Sequence, residues 1–291
     1  MNSRWLILMA GMAACRPDPA TEFVEVFRYD RVEEGPFALP NHRYTYPASG
    51  LQFTGWGVYE DIIFPGTAIL WSMAHTADTA LSDPALRLAI TGGDAYNNAF
   101  FTSTVAMKWA GETWPLPMPD RMVYALDFFP AGLLSAAHPD ESEAEGLEWT
   151  FQQVVLPSSW GFALQWAKSG EVRYWNDEVN PATGKPFAWQ SFPKPVRLFI
   201  SPKQWHHLEI EGYLEDNTLI YKQFTLDGIR HELGDVRVNA VPPPAGYAEN
   251  FLQVGFQING NKATHTGHGM GTDPFTVYID QLSLTGYQSL P

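Results

Sequence analysis

The sequence has a single cysteine, Cys15, among its 291 residues. One thiol excludes a disulfide within the chain, so a folded domain must depend on its buried core. Basic residues are also scarce: 18 Lys and Arg stand against 32 Asp and Glu, and the formal net charge at pH 7 is −14. Such a charge repels phosphate backbones, and we expect no nucleic-acid partner.

Long hydrophobic runs are absent as well, since no stretch reaches the roughly 20 apolar residues of a membrane-spanning helix. A shorter apolar run, residues 5–12, follows the positive charge of Arg4 and precedes two alanines. This order of charged, apolar and small segments is typical of a secretory signal peptide. We therefore interpret residues 1–14 as a signal peptide and predict that the protein is exported.

The segment Met12-Ala13-Ala14-Cys15 resembles the bacterial lipobox, although Met12 stands where Leu is usual. The resemblance implies cleavage before Cys15, its lipidation, and a membrane contact through the lipid alone, on the periplasmic face or the cell surface. Two prolines disfavour regular structure in residues 16–21, so we expect residues 15–21 to be a tether. The alternatives are an ordinary signal peptide or an uncleaved N-terminal anchor.

Glycine and proline are frequent, with 24 and 23 residues, and separate short apolar runs. This punctuation favours an all-β domain, and neither a fixed repeat nor an internal linker divides residues 22–291. We therefore expect one β-sandwich domain over that range. The predicted strands are residues 68–73, 86–91, 100–109, 122–128, 147–155, 161–167, 171–175, 196–200, 205–214, 219–226, 251–259 and 275–284.

Alternation within two of these strands predicts a core side and an open side. In the first strand Leu208 and Ile210 share the core side, opposite His207, Glu209 and Glu211. In the second strand the apolar residues alternate with a row that contains three amides, which suit sugar hydroxyls because amides both donate and accept. The apolar set is Leu252, Val254, Phe256 and Ile258; the open set is Gln253, Gly255, Gln257 and Asn259.

Three segments in the second half follow the order of a known family. They are Trp205-His206-His207-Leu208-Glu209-Ile210, then Leu219-Ile220-Tyr221, then Leu226-Asp227-Gly228. This order resembles the concanavalin A-like lectins and glucanases, and residues 275–284 are similar to their closing strand. The resemblance covers roughly the last 90 residues. It implies a jelly-roll sandwich of two antiparallel sheets that binds polysaccharide in the cell envelope.

Aromatic and amide side chains are the candidates for ligand binding. Trp175, Tyr174 and Trp189 flank residues 176–185, which we interpret as a loop, and sugar rings stack on exposed aromatic rings. Gln253, Gln257 and Asn259 add hydrogen-bonding groups. The alternative for each tryptophan is a place in the core, because large sandwiches also bury this residue.

Enzymatic activity is the alternative function. A polysaccharide lyase needs a base and a group that neutralises the uronate, and His207, Tyr221 and Arg173 supply these types. A glycoside hydrolase needs two carboxyl groups, and Glu209 and Glu211 have alternate spacing. Neither set matches the run of residues found in known jelly-roll enzymes, and the acidic charge disfavours a polyuronate. A third possibility is an envelope interaction protein without a glycan ligand.

A structural calcium ion is the one cofactor considered. Carbohydrate-binding jelly rolls often hold calcium with carboxylates of their first and last strands, and Asp280 with Glu25 or Asp30 matches those places. Two histidines in residues 264–269 do not make a zinc site without a third ligand, so we interpret this segment as a glycine-rich loop.

Overall fold

A computed structural model describes residues 22–37, 55–62, 69–82, 84–92, 97–109, 113–114, 116–134, 136–138, 142–243, 249–260 and 274–290. The predicted signal peptide, the predicted lipidation site Cys15 and the histidine-containing segment 264–269 lie outside these residues. No helix in the described part of the chain has the length and apolar character needed to cross a membrane.

The described residues form fifteen strands and one short 3-10 helix. Their bounds are β1 Phe23–Tyr29, the 3-10 helix Val32–Glu34, β2 Gly55–Ile62, β3 Ile69–Thr76, β4 Ala85–Gly92, β5 Asn97–Trp109, β6 Arg121–Pro130, β7 Ala144–Val155, β8 Ser158–Ala167, β9 Glu171–Asn180, β10 Lys185–Arg197, β11 His206–Glu215, β12 Thr218–Leu226, β13 Ile229–Asn239, β14 Glu249–Gly260 and β15 Phe275–Ser289.

The strands are arranged in two antiparallel sheets. The first sheet has the order β13-β12-β11-β6-β15-β4-β3, with β1 also paired to β15, and the second has the order β10-β9-β8-β7-β14-β5-β2. The chain changes sheet at each step from β4 to β7, and the late strands β14 and β15 insert between early strands. This connectivity confirms the prediction of an all-β jelly-roll sandwich.

The inner faces of the two sheets enclose one core. Leu208 and Ile210 are almost fully buried there, as their alternation predicts. Aromatic rings join the sheets: the Phe162 ring stacks on Phe151 at 4.8 Å and on Tyr221 at 4.2 Å. Tyr221 lies on the first sheet and both phenylalanines on the second, so this stack sets how the sheets face each other.

The predicted turn Asp227-Gly228 connects β12 to β13. Leu226 pairs directly with Ile229, and both turn residues have positive φ, 51° for Asp227 and 78° for Gly228. Such a two-residue turn follows the twist of the strands it connects, and it requires residues that tolerate left-handed backbone. The Asp227-Gly228 pair therefore forms the hairpin turn that the sequence predicts.

Several segments differ from the sequence prediction. Residues 176–185 are not a loop, because β9 continues to Asn180 and a four-residue turn leads into β10. Residues 198–200 lie beyond the end of β10 rather than in a strand. β1, β2 and β13 were not predicted. β13 is rich in charged residues and lies at one end of the first sheet, where charge on an edge prevents pairing with other chains.

Candidate functional site

A cleft of about 240 Å³ opens on the outer face of the second sheet. Six neighbouring strands of this sheet, in the order β5-β14-β7-β8-β9-β10, supply its lining residues. The lining mixes aromatic rings, amides and two carboxyl groups over a floor of small side chains. These residues are Phe100, Glu148, Thr150, Gln152, Gly161, Ala163, Trp175, Asp177, Trp189 and Gln257.

The depth of the cleft comes from small residues in register. Thr150 on β7 is paired with Ala163 on β8 and with Gly255 on β14, so the middle row of the sheet has short side chains. A Cβ at Gly255 would lie 2.4 Å from the Phe100 ring, and a Cβ at Gly161 would lie 3.0 Å from the Asp177 carboxylate. Both glycines therefore leave space for the longer side chains that form the walls.

Two tryptophans form one wall. Trp175 on β9 is the register partner of Trp189 on β10, and their rings meet edge to face with centroids 5.2 Å apart. The hydroxyl of buried Tyr221 donates to the Trp175 carbonyl at 3.0 Å and accepts from the Ala163 amide at 3.2 Å. The core thus fixes the backbone beneath an aromatic wall that stays partly exposed.

Asp177 ends the aromatic wall. Its carboxylate accepts a hydrogen bond from the Trp175 indole nitrogen. Burial raises the pKa of Asp177, and the hydrogen bond from Trp175 opposes that shift. The bond also fixes the orientation of the Trp175 ring, so this acid has a positioning role in the wall.

A row of amides centred on Glu148 forms another wall. Glu148 lies between Gln257 on β14 and Gln165 on β8, because all three share one register row. Its Oε1 accepts from Gln165 Nε2 and from Asn259 Nδ2, each at 2.7 Å. Asn259 Oδ1 in turn accepts from Gln257 Nε2 at 2.8 Å. The four side chains form one connected network with little exposure.

Basic residues lie beside the amide row in an adjoining cleft of about 220 Å³ that Gln165 and Asn259 also line. Lys168 Nζ contacts a Glu145 carboxylate oxygen at 2.8 Å, and the Arg173 guanidinium contacts Glu171 at 2.8 Å. The hydrogen bond from the Ser191 hydroxyl lowers the pKa of Glu171, and the contacts with Arg173 lower it by a smaller amount. Both cations that line this adjoining cleft, Lys168 and Arg173, therefore have a carboxylate partner.

A larger cleft, about 660 Å³, lies on the first sheet. Its polar groups are engaged with one another: the Asp120 carboxylate accepts from the Ser289 amide at 2.7 Å, and Lys222 lies 4.7 Å from the centre of the Tyr213 ring. It lacks the convergence of tryptophans and amides found on the second sheet. The cleft on the second sheet is therefore the better candidate site.

The structure places most of the predicted ligand-binding residues on one face. Trp175, Trp189 and Gln257 line the cleft, and Asn259 belongs to the amide network. Gln253 lies on β14 opposite Gln152, a cleft residue, and is largely buried. Tyr174 is an exception, because alternation turns its ring toward the core, where it contacts Phe192 and Tyr221 at 5.0 and 5.3 Å.

The three residues proposed for a lyase do not meet. His207 lies on the outer face of the first sheet, where its ring contacts Asp127 at 2.8 Å. Tyr221 is fully buried between the sheets, and burial raises its pKa strongly. Arg173 lies on the outer face of the second sheet. The grouping was wrong because strand alternation separates inner from outer sides but does not assign strands to sheets.

The two carboxylates considered for a hydrolase lie away from the cleft. Glu211 forms an ion pair with Arg121 at 2.9 Å and accepts a hydrogen bond from the Tyr213 hydroxyl at 2.9 Å. Glu209 is on the same strand of the first sheet, paired with Ala125. The contacts of Glu211 are those of a structural ion pair on the outer face of that sheet.

The residues proposed for calcium also lie apart. Asp280 is fully buried, and its carboxylate accepts from the Leu81 and Ser82 amides at 2.8 Å. Glu25 pairs with Tyr287, seven residues from Asp280 along β15 and so about 20 Å away. Asp30, like Glu25, is exposed near Arg28. Within the described residues no group of three or more His, Cys, Asp or Glu is placed to hold a metal ion.

Sequence reasoning missed Glu148, Gln165, Asp177 and Phe100. A signal for one of them was present, because Glu148, Thr150 and Gln152 alternate with Trp149 and Phe151 within a predicted strand. This alternation, like the one in β14, predicts an outward-facing row of polar side chains. The two patterns together therefore indicate that Glu148 and Gln257 both face away from the core. Asp177 was hidden by the interpretation of its strand as a loop.

Fold and cleft together define a jelly-roll β-sandwich protein with an aromatic and amide-lined cleft on one outer face. No protein-family model matches the sequence, and no curated protein matches it. Solved structures with detectable likeness include the winged bean acidic lectin complexed with methyl-α-D-galactose, at 10% identity and a TM-score of 0.41 over 80% of this chain and 100% of the lectin.

Two further structures are bacterial. The family 11 carbohydrate-binding module from Clostridium thermocellum, in complex with a β-1,3-1,4-mixed-linked tetrasaccharide, has 10% identity and a TM-score of 0.34 over 81% of this chain and 91% of the module. The Bacillus licheniformis β-glucanase has 12% identity and a TM-score of 0.36 over 81% of this chain and 99% of the enzyme. At these values no residue's role is carried over to this chain.

Proposed function

We propose that the protein is an exported lipoprotein that binds carbohydrate in the cleft on the outer face of the second sheet. The observation that carries the proposal is the Trp175–Trp189 pair, which shares one cleft with Gln152 and Gln257. Aromatic rings bind the C–H faces of sugars, and amides bind hydroxyl groups, so the two walls together suit a sugar ring.

The spacing of the two acids in the cleft supports binding over glycoside hydrolysis. Glu148 and Asp177 lie on β7 and β9 and in different register rows: Glu148 is level with Gln165, whereas Asp177 lies beside Gly161. Strand geometry puts their carboxyl groups on the order of 15 Å apart. Glycoside hydrolases need separations of about 5 to 9.5 Å, so this pair does not meet the requirement.

Removal of a cleft tryptophan tests the proposal. Full-length protein is incubated with a panel of neutral and acidic polysaccharides, and bound protein, new reducing ends and unsaturated uronate are measured together. We expect wild-type protein to bind at least one glycan without product, and Trp175→Ala to weaken that binding about tenfold through lost stacking and burial.

The matched control is Trp205→Ala, since Trp205 is also partly exposed but packs on Phe129 of the first sheet at 5.6 Å. This variant should bind like the wild type. Equal loss in both variants, or full binding by Trp175→Ala and Trp189→Ala, would rule out the cleft as the binding site. Release of product would instead make the protein an enzyme, and no binding at all would favour an envelope interaction protein.

A further inference from the structure

Glu148 determines which way the neighbouring amides point. A carboxylate accepts hydrogen bonds but does not donate them, so an amide that contacts it must present its nitrogen. Gln165 and Asn259 both do so, at 2.7 Å from Glu148 Oε1. The carbonyl of Asn259 is then directed to Gln257 Nε2 at 2.8 Å. The buried carboxylate of Glu148 therefore orients three amides. It contacts Gln165 and Asn259 directly and orients Gln257 through Asn259.

Three amides of the clefts have a nitrogen that is already engaged. Gln165 and Gln257 donate within the network, and both residues line cleft surfaces. Gln152 Nε2 donates to the Ser159 hydroxyl at 3.2 Å. Each amide thus has one N–H committed to the protein and keeps a carbonyl oxygen as acceptor, to which a ligand hydroxyl can donate and a ligand carboxylate cannot.

The two cations that line the adjoining cleft, among the described residues, are already paired. Lys168 contacts Glu145 and Arg173 contacts Glu171, each at 2.8 Å. A carboxylate on the ligand would have to displace one of these protein partners while facing carbonyl oxygens. Placing like charges or acceptors opposite each other at an interface costs affinity and excludes wrong partners.

We propose that Glu148 sets the ligand class of the cleft: by orienting Gln165, Asn259 and Gln257, it selects uncharged sugars and disfavours uronates. The inference rests on the proposed carbohydrate binding and deepens it. Glu148 is a positioning residue, since it acts through the amides.

A pair of glycans that differ at one position gives the test. The probe is the neutral polysaccharide that binds best in the panel, among those with a primary hydroxyl, compared with the same polymer oxidised at C6 to the uronate. We expect full-length wild-type protein to bind the neutral form at least about tenfold more tightly. Glu148→Gln replaces a group that only accepts hydrogen bonds with one that can also donate, so the neighbouring amides are no longer held in one orientation and the ratio of the two dissociation constants should fall about threefold or more.

Two variants make the result specific. Trp189→Ala removes a cleft ring outside the Glu148 network and should weaken both forms with the ratio of the two dissociation constants unchanged. Gln165→Met removes one of the oriented carbonyl groups and should lower the ratio of the two dissociation constants. This variant tests the proposal even if Glu148→Gln does not fold.

Each remaining outcome has a definite meaning. A wild-type protein that binds both polymers equally, or prefers the uronate, overturns the role of Glu148 and leaves carbohydrate binding intact. An unchanged ratio in folded Glu148→Gln does the same. Failure to bind any glycan removes the proposed function and this inference together.

Discussion

Glu33 shows how burial controls a single ionisable group in this fold. Its side chain is fully buried, and its carboxyl oxygens accept from the Gln281 and Leu282 amides at 3.0 and 2.9 Å. Burial raises the pKa of Glu33 to about 7, with a smaller contribution from nearby Asp280, while the backbone hydrogen bonds oppose the rise. The folded state therefore binds a proton more tightly than the unfolded chain does.

The raised pKa predicts that stability falls as pH rises. The contribution of Glu33 is fully present below the unfolded pKa of about 4.5 and is lost as pH rises through about 7. Its size is on the order of 3 kcal/mol. Glu33→Gln should reduce the fall in the free energy of unfolding between pH 5 and pH 8, measured by denaturant titration. Glu25→Gln, at an exposed ion-paired site, should keep the wild-type fall; the same fall in both variants would contradict the assignment.

Among the elements, β11 and β14 were predictable because their apolar residues alternate strictly and one side is core. β10 was not, since it contains Pro186, Pro193 and Pro195 and its register shifts twice against β9. Proline is tolerated at sheet edges, where no ladder hydrogen bond is lost, and β10 ends the second sheet. β10, one of the strands that complete the candidate site, therefore carries a weak local signal, whereas the first half of β9 was predicted.

The turn between β12 and β13 gives a prediction at the scale of an element. Gly228 has φ 78°, and nothing lies within 4 Å of a Cβ added there, so a side chain meets backbone strain and no neighbour. Gly228→Val should lower the free energy of unfolding by about 1–2 kcal/mol. Gly228→Asn should lose less, because asparagine tolerates left-handed backbone. Denaturant unfolding compares the two variants, and equal losses would point to a cause other than φ.

The local nature of strand alternation explains the errors in the predicted site residues. Alternation put Gln257 on an outward-facing position, whereas Trp175 and Trp189 were proposed as residues flanking a loop; the sheet order brings all three into one cleft. Alternation could not show that His207 and Arg173 belong to different sheets, because that depends on pairings between strands far apart in the sequence. Local pattern specifies the side of a strand, whereas tertiary pairing specifies the neighbours.

For the whole molecule, lipidation predicts where the protein is found. Wild-type protein should fractionate with membranes, and Cys15→Ala should remain uncleaved or appear in the soluble fraction, as shown by immunoblot of the separated fractions. Met12→Leu, which restores the usual lipobox residue, should behave like the wild type. Membrane retention of Cys15→Ala at the size of the processed wild-type protein would refute the lipid anchor and leave the cleft unaffected.

The pairing of β1 with the end of β15 has a mechanical consequence. Phe27 packs against Gly286, where a Cβ would lie 2.3 Å from its ring, and the Leu290 amide donates to the Glu22 carbonyl at 2.8 Å. A protein that is anchored at its N-terminus and holds a polymer through the second sheet is under tension. With the proposed lipid anchor and the proposed polymer both in place, that load would enter the fold at β1, so the short β1–β15 ladder would carry force before the core does, and its strength would limit how firmly the polymer is held to the membrane.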